Sequence, residues 1–415
     1  METVSKWTKR AALVVLLADF VHVYTYLRAY YKDEDDELVY DDERLLEDDK
    51  IVKAYSGDCA PESLVSDEEF NSAVEETLKE LETSGIKTGL YPLGDIGIAV
   101  NRESIVFAGG GRAAFMQLAH PFVAAGIRQH SMLERGVSRR FYNTFKYMFG
   151  MAFGTPEEIA SSARAVRGLH SKVVGMIKED VGIFTPTSRF SAAEKNAMRF
   201  VGATLLETAV FEYELHIRLL TETEKDSMVA SGPRLLALFG VKPTENDPKT
   251  WKEFRRHMSA MWRSRVLTVS ETAKDTKEFL LLAPSPVYRP LLDMINWSTI
   301  VSLPPRLAKQ FAERTPNWLD IMLFSWHHAL IRFIYRLCPG SWRYLTAYWR
   351  MYDREHPGQR SFLSRMISSA AARVTGSLLA IAMPERDPEM AGKLVQEKRK
   401  QRIVFEKIPN SPLKI

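Results

Sequence analysis

The sequence predicts an all-α protein, and three observations lead to that prediction. From residue 66 to about residue 345, apolar residues recur with the period of about 3.6 residues that is typical of helices. The alternation of apolar and polar residues that is typical of strands is almost absent, and no βαβ alternation is present. Capping residues and prolines divide the chain into segments of ordinary helix length.

The first 32 residues predict a helix that is either a membrane anchor or docked on the rest of the protein. An apolar run at residues 11–27 follows three basic residues and is interrupted by Asp19 and His22. Seventeen residues is about the lower limit for crossing a bilayer, and a carboxylate in the middle of a span is costly. The run therefore leaves three arrangements open: spanning a membrane, lying on one, or docking on the body.

Residues 33–65 predict an acidic linker. Residues 33–49 contain eleven acidic residues and one arginine, a net charge of −10, so the rest of the chain carries +14. A basic body of this kind can meet anionic headgroups or acidic substrates. No recognised nucleic-acid-binding module is present, so we expect no nucleic-acid partner.

Capping signals predict the first helix of the main body, which we place at residues 66–345. Ser66 and Glu69 form a capping box before an amphipathic segment, and Gly85 suits the position that follows the helix. Residues 86–100, rich in glycine, are expected to form a loop.

Later signals divide the rest of the chain. Thr155 and Pro156 predict the start of a helix that runs to about residue 177. Ser191 with Glu194 predicts the start of another helix, which runs to about residue 220. We expect residues 346–384 to form helices that pack on the body, and residues 385–415 to form a charged tail.

The composition excludes several classes of protein. Of the 415 residues, 46% are hydrophobic and 26% are charged, which is ordinary for a globular protein and excludes a disordered or polytopic membrane chain. The two cysteines, Cys59 and Cys338, exclude a disulfide scaffold and any CxxC motif. No HExxH zinc motif and no GxSxG nucleophile motif is present.

Two motifs in the first half of the body have a structural interpretation beside a functional one. Residues 109–111 are glycines followed by Arg112, but they lack the Lys-Ser/Thr of a phosphate-binding loop. They indicate a helix break, a kink, or a close approach to a neighbouring helix or ligand. His120 precedes Pro121, and we expect it at a helix C-terminus, where a histidine favours the local dipole.

Arg140, Thr144 and His170 are the candidate site residues. Arg140 and Thr144 are four residues apart, so on a helix they share one face and can address a buried polar ligand. Alone, the pair is equally consistent with a solvated arginine and a threonine bonded to its own helix.

His170 lies in register with Ile159, Ala163 and Val174 on one predicted apolar face. A histidine there either finds a hydrogen-bond partner or ligates something, and spacing alone favours a satisfied core histidine. An apolar pocket with one imidazole and an arginine also meets the needs of b-type haem, which leaves no CxxCH signature.

The segment at residues 101–121, NRESIVFAGGGRAAFMQLAHP, resembles a known catalytic domain. The domain is shared by bacterial rubber oxygenase (latex clearing protein) and the ER-bound oxygenase of mycophenolic acid biosynthesis. The resemblance covers about residues 95–345 and continues, in order, through RFYNT (140–144), FGMAFGTP (149–156), GLH (168–170), ATLLET (203–208), LFGV (238–241) and LPPRL (303–307).

The resemblance implies a globin-like helical core that encloses non-covalent haem b. The family's RxxxT motif corresponds to Arg140 and Thr144, which would line the haem pocket, and its proximal iron ligand corresponds to His170. The chain departs from the family at Asn143, where rubber oxygenases can carry lysine, and at Gly202, where many relatives carry histidine. These departures leave the chemistry on the distal side of the haem open.

The resulting hypothesis is a haem-dependent oxidoreductase that adds dioxygen to a lipophilic small molecule, isoprenoid or polyketide-derived, with possible C=C cleavage in secondary metabolism. A membrane surface, with the endoplasmic reticulum as the implied location, would suit such a substrate. Two alternatives remain. One is a non-redox enzyme that cyclises or rearranges a hydrophobic intermediate in the same pocket, and the other is a membrane-tethered binding protein.

Overall fold

The computed structural model describes residues 2–32, 55, 57–131, 138–282, 286–312, 314–382 and 388–406. Within these ranges the chain forms eighteen α-helices and one small antiparallel sheet, which confirms the predicted all-α fold. The first helices are α1 (Glu2–Tyr30), α2 (Asp67–Thr83), α3 (Ile96–Asn101), α4 (Gly110–Leu118), α5 (Pro121–His130), α6 (Ser138–Phe153), α7 (Pro156–His170), α8 (Lys195–His216) and α9 (Glu222–Ala237).

The second half continues the helical pattern. Its helices are α10 (Trp251–Trp262), α11 (Glu271–Leu280), α12 (Arg289–Ser302), α13 (Pro305–Ala312), α14 (Trp318–Leu337), α15 (Gly340–Arg343), α16 (Thr346–Glu355), α17 (Phe362–Ala382) and α18 (Pro388–Glu406). The two strands, β1 (Val174–Met176) and β2 (Arg189–Ser191), pair antiparallel with Gly175 opposite Phe190.

A buried ion pair between α4 and α8 lies at the centre of the fold. Arg112 and Glu207 are 1% and 0% exposed and form a two-pronged contact, in which Arg112 Nη2 donates to Glu207 Oε1 at 2.7 Å. Arg112 Nε also donates to the carbonyl of Ser302, at the end of α12, at 2.8 Å. Tyr31 Oη accepts from Arg112 Nη2 at 2.9 Å, and Tyr30 Oη donates to Glu207 Oε1 at 2.8 Å. The pair therefore connects four helical segments.

The glycines before Arg112 permit this arrangement. A Cβ on Gly109 would lie 2.5 Å from Thr208 Cγ2 and 2.6 Å from Glu212 Cγ, both on α8. A Cβ on Gly111 would lie 2.5 Å from Thr299 Oγ1, on α12. Such distances leave no room for a side chain. Of the interpretations of the glycine run, the structure supports a close approach between helices.

The N-terminal helix docks on the body through its second half. Asp19 is buried and accepts a hydrogen bond from Arg332 Nε, on α14, at 3.0 Å, and it also pairs with Arg336. Phe20 stacks on Trp326 of α14 with ring centroids 4.4 Å apart. By length and composition alone, Ala11–Tyr30 is the one described helical segment that could cross a membrane.

The predicted start of α2 is confirmed. Glu69 N donates to Ser66 Oγ at 3.0 Å and Ser66 N donates to Glu69 Oε2 at 2.8 Å, which completes the capping box. Gly85 follows the helix with φ +67°, a left-handed conformation that favours glycine.

Several predicted boundaries were wrong, each for a local reason. The loop expected over residues 86–100 ends early, because Asp95 caps α3 by accepting from Gly97 N at 2.7 Å. Helix α8 begins after Glu194, whose carboxylate is its N-cap, because Ser191 belongs to β2.

The predictions for the acidic linker and for the charged tail also need correction. Most of the acidic linker predicted over residues 33–65 lies outside the described residues, but residues 57–65 pack on the body, where Cys59 is buried and its N–H donates to Arg189 O at 3.2 Å. Part of the charged tail forms α18, whose Ala391 and Val395 are buried against Phe279 of α11.

We predict that Glu207→Gln strongly destabilises the protein. Removing one charge of a fully buried pair leaves Arg112 uncompensated in the core, which typically costs about 3–5 kcal/mol. Urea unfolding at neutral pH measures the free energy of unfolding. The matched control is Glu389→Gln, which removes the exposed Lys393–Glu389 pair, for which we expect a change below about 1 kcal/mol. Equal effects of the two variants would contradict a central role for Arg112–Glu207.

Candidate functional site

A helical hairpin brings two of the three candidate residues together. Helices α6 and α7 are joined by a two-residue connection, Gly154–Thr155, and pack along one another. Because the helices are antiparallel, Arg140 near the start of α6 lies beside His170 at the end of α7. The hairpin thus converts a sequence separation of thirty residues into proximity.

Local sequence explains why the hairpin is tight. Thr155 and Glu158 form a capping box at the start of α7, in which Thr155 N donates to Glu158 Oε2 at 2.9 Å. A Cβ on Gly150 would lie 2.2 Å from Ser162 Oγ, so glycine permits the close approach of α6 to α7. The predicted start of α7 is therefore confirmed, and the glycines of the FGMAFGTP motif have a packing role.

His170 is held as a neutral imidazole. Its side chain is half-buried, and its ring stacks on Phe239 with centroids 6.2 Å apart and planes 28° from parallel. Burial and, to a smaller extent, the nearby charges of Arg167 and Arg140 lower the pKa of His170 to about 4. At neutral pH the ring is therefore unprotonated, and one nitrogen lone pair is available to a metal ion or a proton donor.

The predicted continuation of α7 beyond His170 was wrong. The helix ends at His170, and Val174 begins β1 with its side chain 54% exposed. His170 is thus at the end of a helix, next to exposed apolar side chains at Leu169, Val174 and Met176. The helical register expected for Val174 fails because Ile177 and Val173 bond across to the segment around β2.

Arg140 and Thr144 occupy one face of α6, as predicted, but their surroundings differ. Arg140 is half-buried and its guanidinium donates to Ser131 Oγ. Burial lowers the pKa of Arg140, and an arginine in this setting remains protonated at neutral pH. Thr144 is exposed. The structure therefore brings Arg140 to His170, whereas it leaves the hydroxyl of Thr144 at the surface one turn further along.

The two arginines whose charges reach His170 have different partners: Arg140 donates to the hydroxyl of Ser131, whereas Arg167 pairs with a carboxylate. Arg167 Nη2 lies 2.8 Å from Asp67 Oδ1 and also donates to Val65 O at 2.8 Å. The guanidinium of Arg167 therefore already has partners, and its contacts hold α7 against the start of α2. Arg140 is the cation better placed to meet an anionic group of a ligand.

His120 has a different role from the one expected. It is the N-cap of α5, where its Nδ1 accepts a hydrogen bond from Phe122 N at 3.3 Å. The ring is fully buried among Tyr55, Phe184 and Phe200, and burial lowers its pKa to about 3. A neutral ring cannot act as a cation at a helix C-terminus, so the predicted dipole role was wrong.

A buried chain of polar side chains was missed by the sequence analysis. Ser298 Oγ lies 2.9 Å from His328 Nε2, and His328 Nδ1 lies 2.9 Å from His216 Nε2. His216 Nδ1 in turn donates to the backbone carbonyl oxygen of Glu212 at 3.1 Å. One tautomer assignment, in which each group donates to the next towards Glu212, satisfies all three contacts. Only the spacing of four between Glu212 and His216 was visible in the sequence.

This chain joins α12, α14 and α8 inside the core. Burial lowers the pKa of His328, and the neighbouring imidazoles of His216 and His327 add to the effect. The hydrogen bonds satisfy polar groups that would otherwise be buried without partners, so the chain stabilises the contact between the three helices.

Two cavities in the described part of the structure lie away from the hairpin. The larger, of about 370 Å³, lies between α11, α12 and α13 and is lined by Lys274, Lys277, Trp297 and Phe311 among others. Neither cavity is lined by Arg140, Thr144 or His170. Among the described residues, no group of three or more His, Cys, Asp or Glu side chains is placed to hold a metal ion.

The family described as "ER-bound oxygenase mpaB/B'/Rubber oxygenase, catalytic domain" matches residues 99–333 of the chain. The match covers more than half of the 415 residues. The chain belongs to this family. No curated protein and no solved structure shows significant similarity to the chain.

Membership of this oxygenase family confirms the resemblance seen in the sequence. The matched residues contain Arg140, Thr144 and His170, and also the buried pair Arg112–Glu207. Helices α1 and α2 and helices α15 to α18 lie outside the match. The candidate site therefore belongs to the oxygenase domain, while the N-terminal helix is an addition to it.

We predict that His120→Asn reduces the dependence of stability on pH. The folded protein holds His120 neutral to about pH 3, whereas in the unfolded chain histidine takes up a proton near pH 6.5. The stabilisation is therefore complete above pH 6.5 and is lost as the pH falls towards 3. Asparagine offers a side-chain oxygen as the capping acceptor in place of His120 Nδ1, but it does not titrate.

The measurement is urea unfolding of the wild type and of His120→Asn at pH 7 and pH 4.5. We expect the free energy of unfolding to fall less in the variant than in the wild type between the two pH values. If the substitution merely destabilised the fold equally at both pH values, the fall in the free energy of unfolding between pH 7 and pH 4.5 would be the same in both proteins. Such a loss of stability therefore cannot be mistaken for the expected result. Equal falls in the two proteins would rule out a titrating role for His120.

Proposed function

We propose that this family member is a haem b-dependent oxygenase that acts on a lipophilic small molecule, isoprenoid or polyketide-derived, in secondary metabolism. The observation that supports the proposal most is the position of His170. It lies in the matched oxygenase domain, and desolvation keeps its imidazole neutral and able to bind iron.

The residues present fit such a cofactor in their chemistry. The neutral imidazole at the end of α7 would supply one nitrogen ligand to the iron, and the Phe239 ring beside it would supply an apolar contact. The exposed side chains of Leu169, Val174 and Met176 provide apolar surface next to the imidazole. A porphyrin needs these features together: one nitrogen ligand and apolar contacts on its faces.

Arg140 and Thr144 have distinct proposed roles. The half-buried guanidinium of Arg140 would hold a propionate carboxylate, because an arginine forms charge-assisted hydrogen bonds with such groups. Breaking the bond to Ser131 Oγ would release donors for that contact. The exposed hydroxyl of Thr144, on the same helix face, would donate a hydrogen bond to a polar group of the substrate.

The haem iron supplies the dioxygen chemistry when it is bound, and the substrate would be attacked at an electron-rich C=C bond, with cleavage to carbonyl products as one outcome. The chain's own contribution is to hold the iron through His170, to orient polar groups through Arg140 and Thr144, and to exclude water with apolar side chains.

We also propose that the protein works at a membrane, with the endoplasmic reticulum as its location. The family description includes an ER-bound oxygenase, and α1 is apolar over residues 11–18. A lipophilic substrate concentrates in the bilayer, so an enzyme at the membrane surface meets it there.

We predict that His170→Ala abolishes haem binding by the purified full-length protein. The variant loses the nitrogen ligand that the proposal assigns to the iron, so the Soret absorption of the reconstituted protein should disappear. The matched control is His356→Ala, since His356 lies at the end of α16 and outside the matched residues. Its spectrum should equal that of the wild type. A wild-type protein without a Soret band after reconstitution would overturn the proposal.

A second prediction separates oxygenation from a non-redox rearrangement in the same pocket. Incubation with candidate isoprenoid or polyketide-derived substrates under ¹⁸O₂ should give products that contain the heavy isotope, and Arg140→Gln should lower the yield. Products of unchanged mass that form equally well without dioxygen would instead favour a cyclase or isomerase. Mass spectrometry of the products distinguishes the two outcomes.

A further inference from the structure

The second half of α1 is part of the folded core. Asp19 pairs with Arg332 and Arg336, and Tyr30 donates to the buried Glu207 at 2.8 Å. His22 Nε2 lies 2.8 Å from Glu214 O, on α8. A bilayer-spanning position for this half would separate Asp19 from both arginines and leave it ionised or protonated in hydrocarbon, which is costly.

The part of α1 before Asp19 is too short to span a bilayer by itself. Residues 11–18 are apolar and exposed on nearly every side, and Leu13 and Val14 are 56% and 65% exposed. An eight-residue helical segment is about 12 Å long, whereas the hydrocarbon core is about 30 Å thick. The preceding residues include Lys6, Lys9 and Arg10, which favour the headgroup region.

Helix α14 presents a second apolar stripe next to α1. The two helices are antiparallel, because Leu27 and Ile321 line one small cavity while Asp19 pairs with Arg336. The exposed apolar residues of α14 recur at intervals of three and four, which places them on one face along the whole helix: Leu319, Leu323, Trp326, Leu330, Ile334 and Leu337.

The exposed face of α1 is also apolar. Val14, Leu17 and Val21 follow one another at helical spacing and are 65%, 44% and 57% exposed. Beyond the end of α14, the exposed side chains of Trp342, on α15, and Phe362, on α17, extend the apolar surface, since α15 and α17 pack together. An apolar surface formed by neighbouring helices of this extent marks an interaction site.

The chemistry of this surface favours a lipid bilayer with anionic headgroups. Its indoles, at Trp318, Trp326 and Trp342, suit the boundary between headgroups and hydrocarbon. The side chain of Arg336 is 37% exposed beside the stripe, and the N-terminal basic residues continue the same helix as the stripe of α1. Basic residues next to a membrane-facing helix attract anionic lipids.

We propose that α1 and α14 lie side by side in one leaflet, and that α1 does not cross the bilayer. The ion pairs of Asp19 fix α1 on the body, and the stripes of both helices enter the boundary between headgroups and hydrocarbon. This inference rests on the membrane association proposed above and adds its geometry and its partner. The membrane arrangement does not depend on haem binding. The visible spectrum therefore tests the haem proposal alone, and the experiments below test the membrane arrangement alone.

The first experiment is flotation of the purified full chain with phosphatidylcholine vesicles, with and without phosphatidylserine. The wild type should float, more strongly with phosphatidylserine. Leu323→Glu/Leu330→Glu should lower the partition coefficient by more than about tenfold, because two side chains lose their apolar burial. The matched control is Leu394→Glu, a similarly exposed apolar residue on α18, which should float like the wild type.

Three outcomes would overturn the surface assignment: a wild type that does not float, a control that fails as badly as the stripe variant, or a stripe variant that changes only the oligomeric state without lipid. The last result would identify a second copy of the chain as the occupant. Sedimentation velocity measures it, and thermal unfolding of each variant verifies that the fold is retained.

The second experiment distinguishes lying flat from spanning. In a Cys59→Ala/Cys338→Ala background, Ser5→Cys reports on the N-terminus and Glu245→Cys reports on the body. Both are expressed with the full chain in microsomes and treated with a membrane-impermeant maleimide. Equal labelling of both positions without permeabilisation supports the one-leaflet arrangement. Labelling of only one of them until detergent is added would show that α1 spans the membrane.

Discussion

The ion pair between Arg112 and Glu207 is the constraint on which the rest of the described structure depends. Both side chains are almost completely buried, so neither charge can be satisfied by water. Each must therefore be met by protein groups, and those groups come from α1, α8, α12 and the segment after α1. A buried pair of this kind is only weak evidence of net stability, but it strongly penalises any arrangement that separates the partners.

That penalty explains features that are far apart in the sequence. The glycines before Arg112 bring α4 close enough to α8 and α12 for the guanidinium to reach its partners. The contacts of Tyr30 and Tyr31 with the same pair attach the end of α1 to the core. Asp19, earlier in α1, forms a second buried ion pair, so the helix is held at two points, whereas most of residues 11–18 are exposed.

The candidate site depends on the packing of two helices rather than on a buried ion pair. It depends on the αα-hairpin of α6 and α7, which places Arg140 next to His170 through helix packing and a two-residue connection. His170 is neutral because its ring is removed from water, and Phe239, which stacks on it, also packs against the apolar cluster that contains Met151 of α6 and Ile159 of α7. A rigid hairpin at the edge of a core held by buried ion pairs is a suitable support for a bound cofactor, because its ligands do not need to be ordered on binding.

The sequence by itself determined the helical class, the capping box of α2, the start of α7 and the shared face of Arg140 and Thr144. These depend on interactions within about one helical turn, which local residue types specify. The family resemblance, carried by ordered motifs, is confirmed by the match over residues 99–333. Only the tertiary structure decided where α7 ends, because that depends on strand pairing with residues 189–191.

The same distinction applies to the buried polar groups. Nothing in the spacing of Arg112, Glu207, His216 and His328 indicates that they meet, since their partners are about ninety to more than a hundred residues away. The apolar run of α1 is equally ambiguous in sequence, because a span and a docked helix have similar composition. The tertiary structure shows that the second half of α1 is docked, because Asp19 is buried beside Arg332 and Arg336, and a buried carboxylate needs such partners.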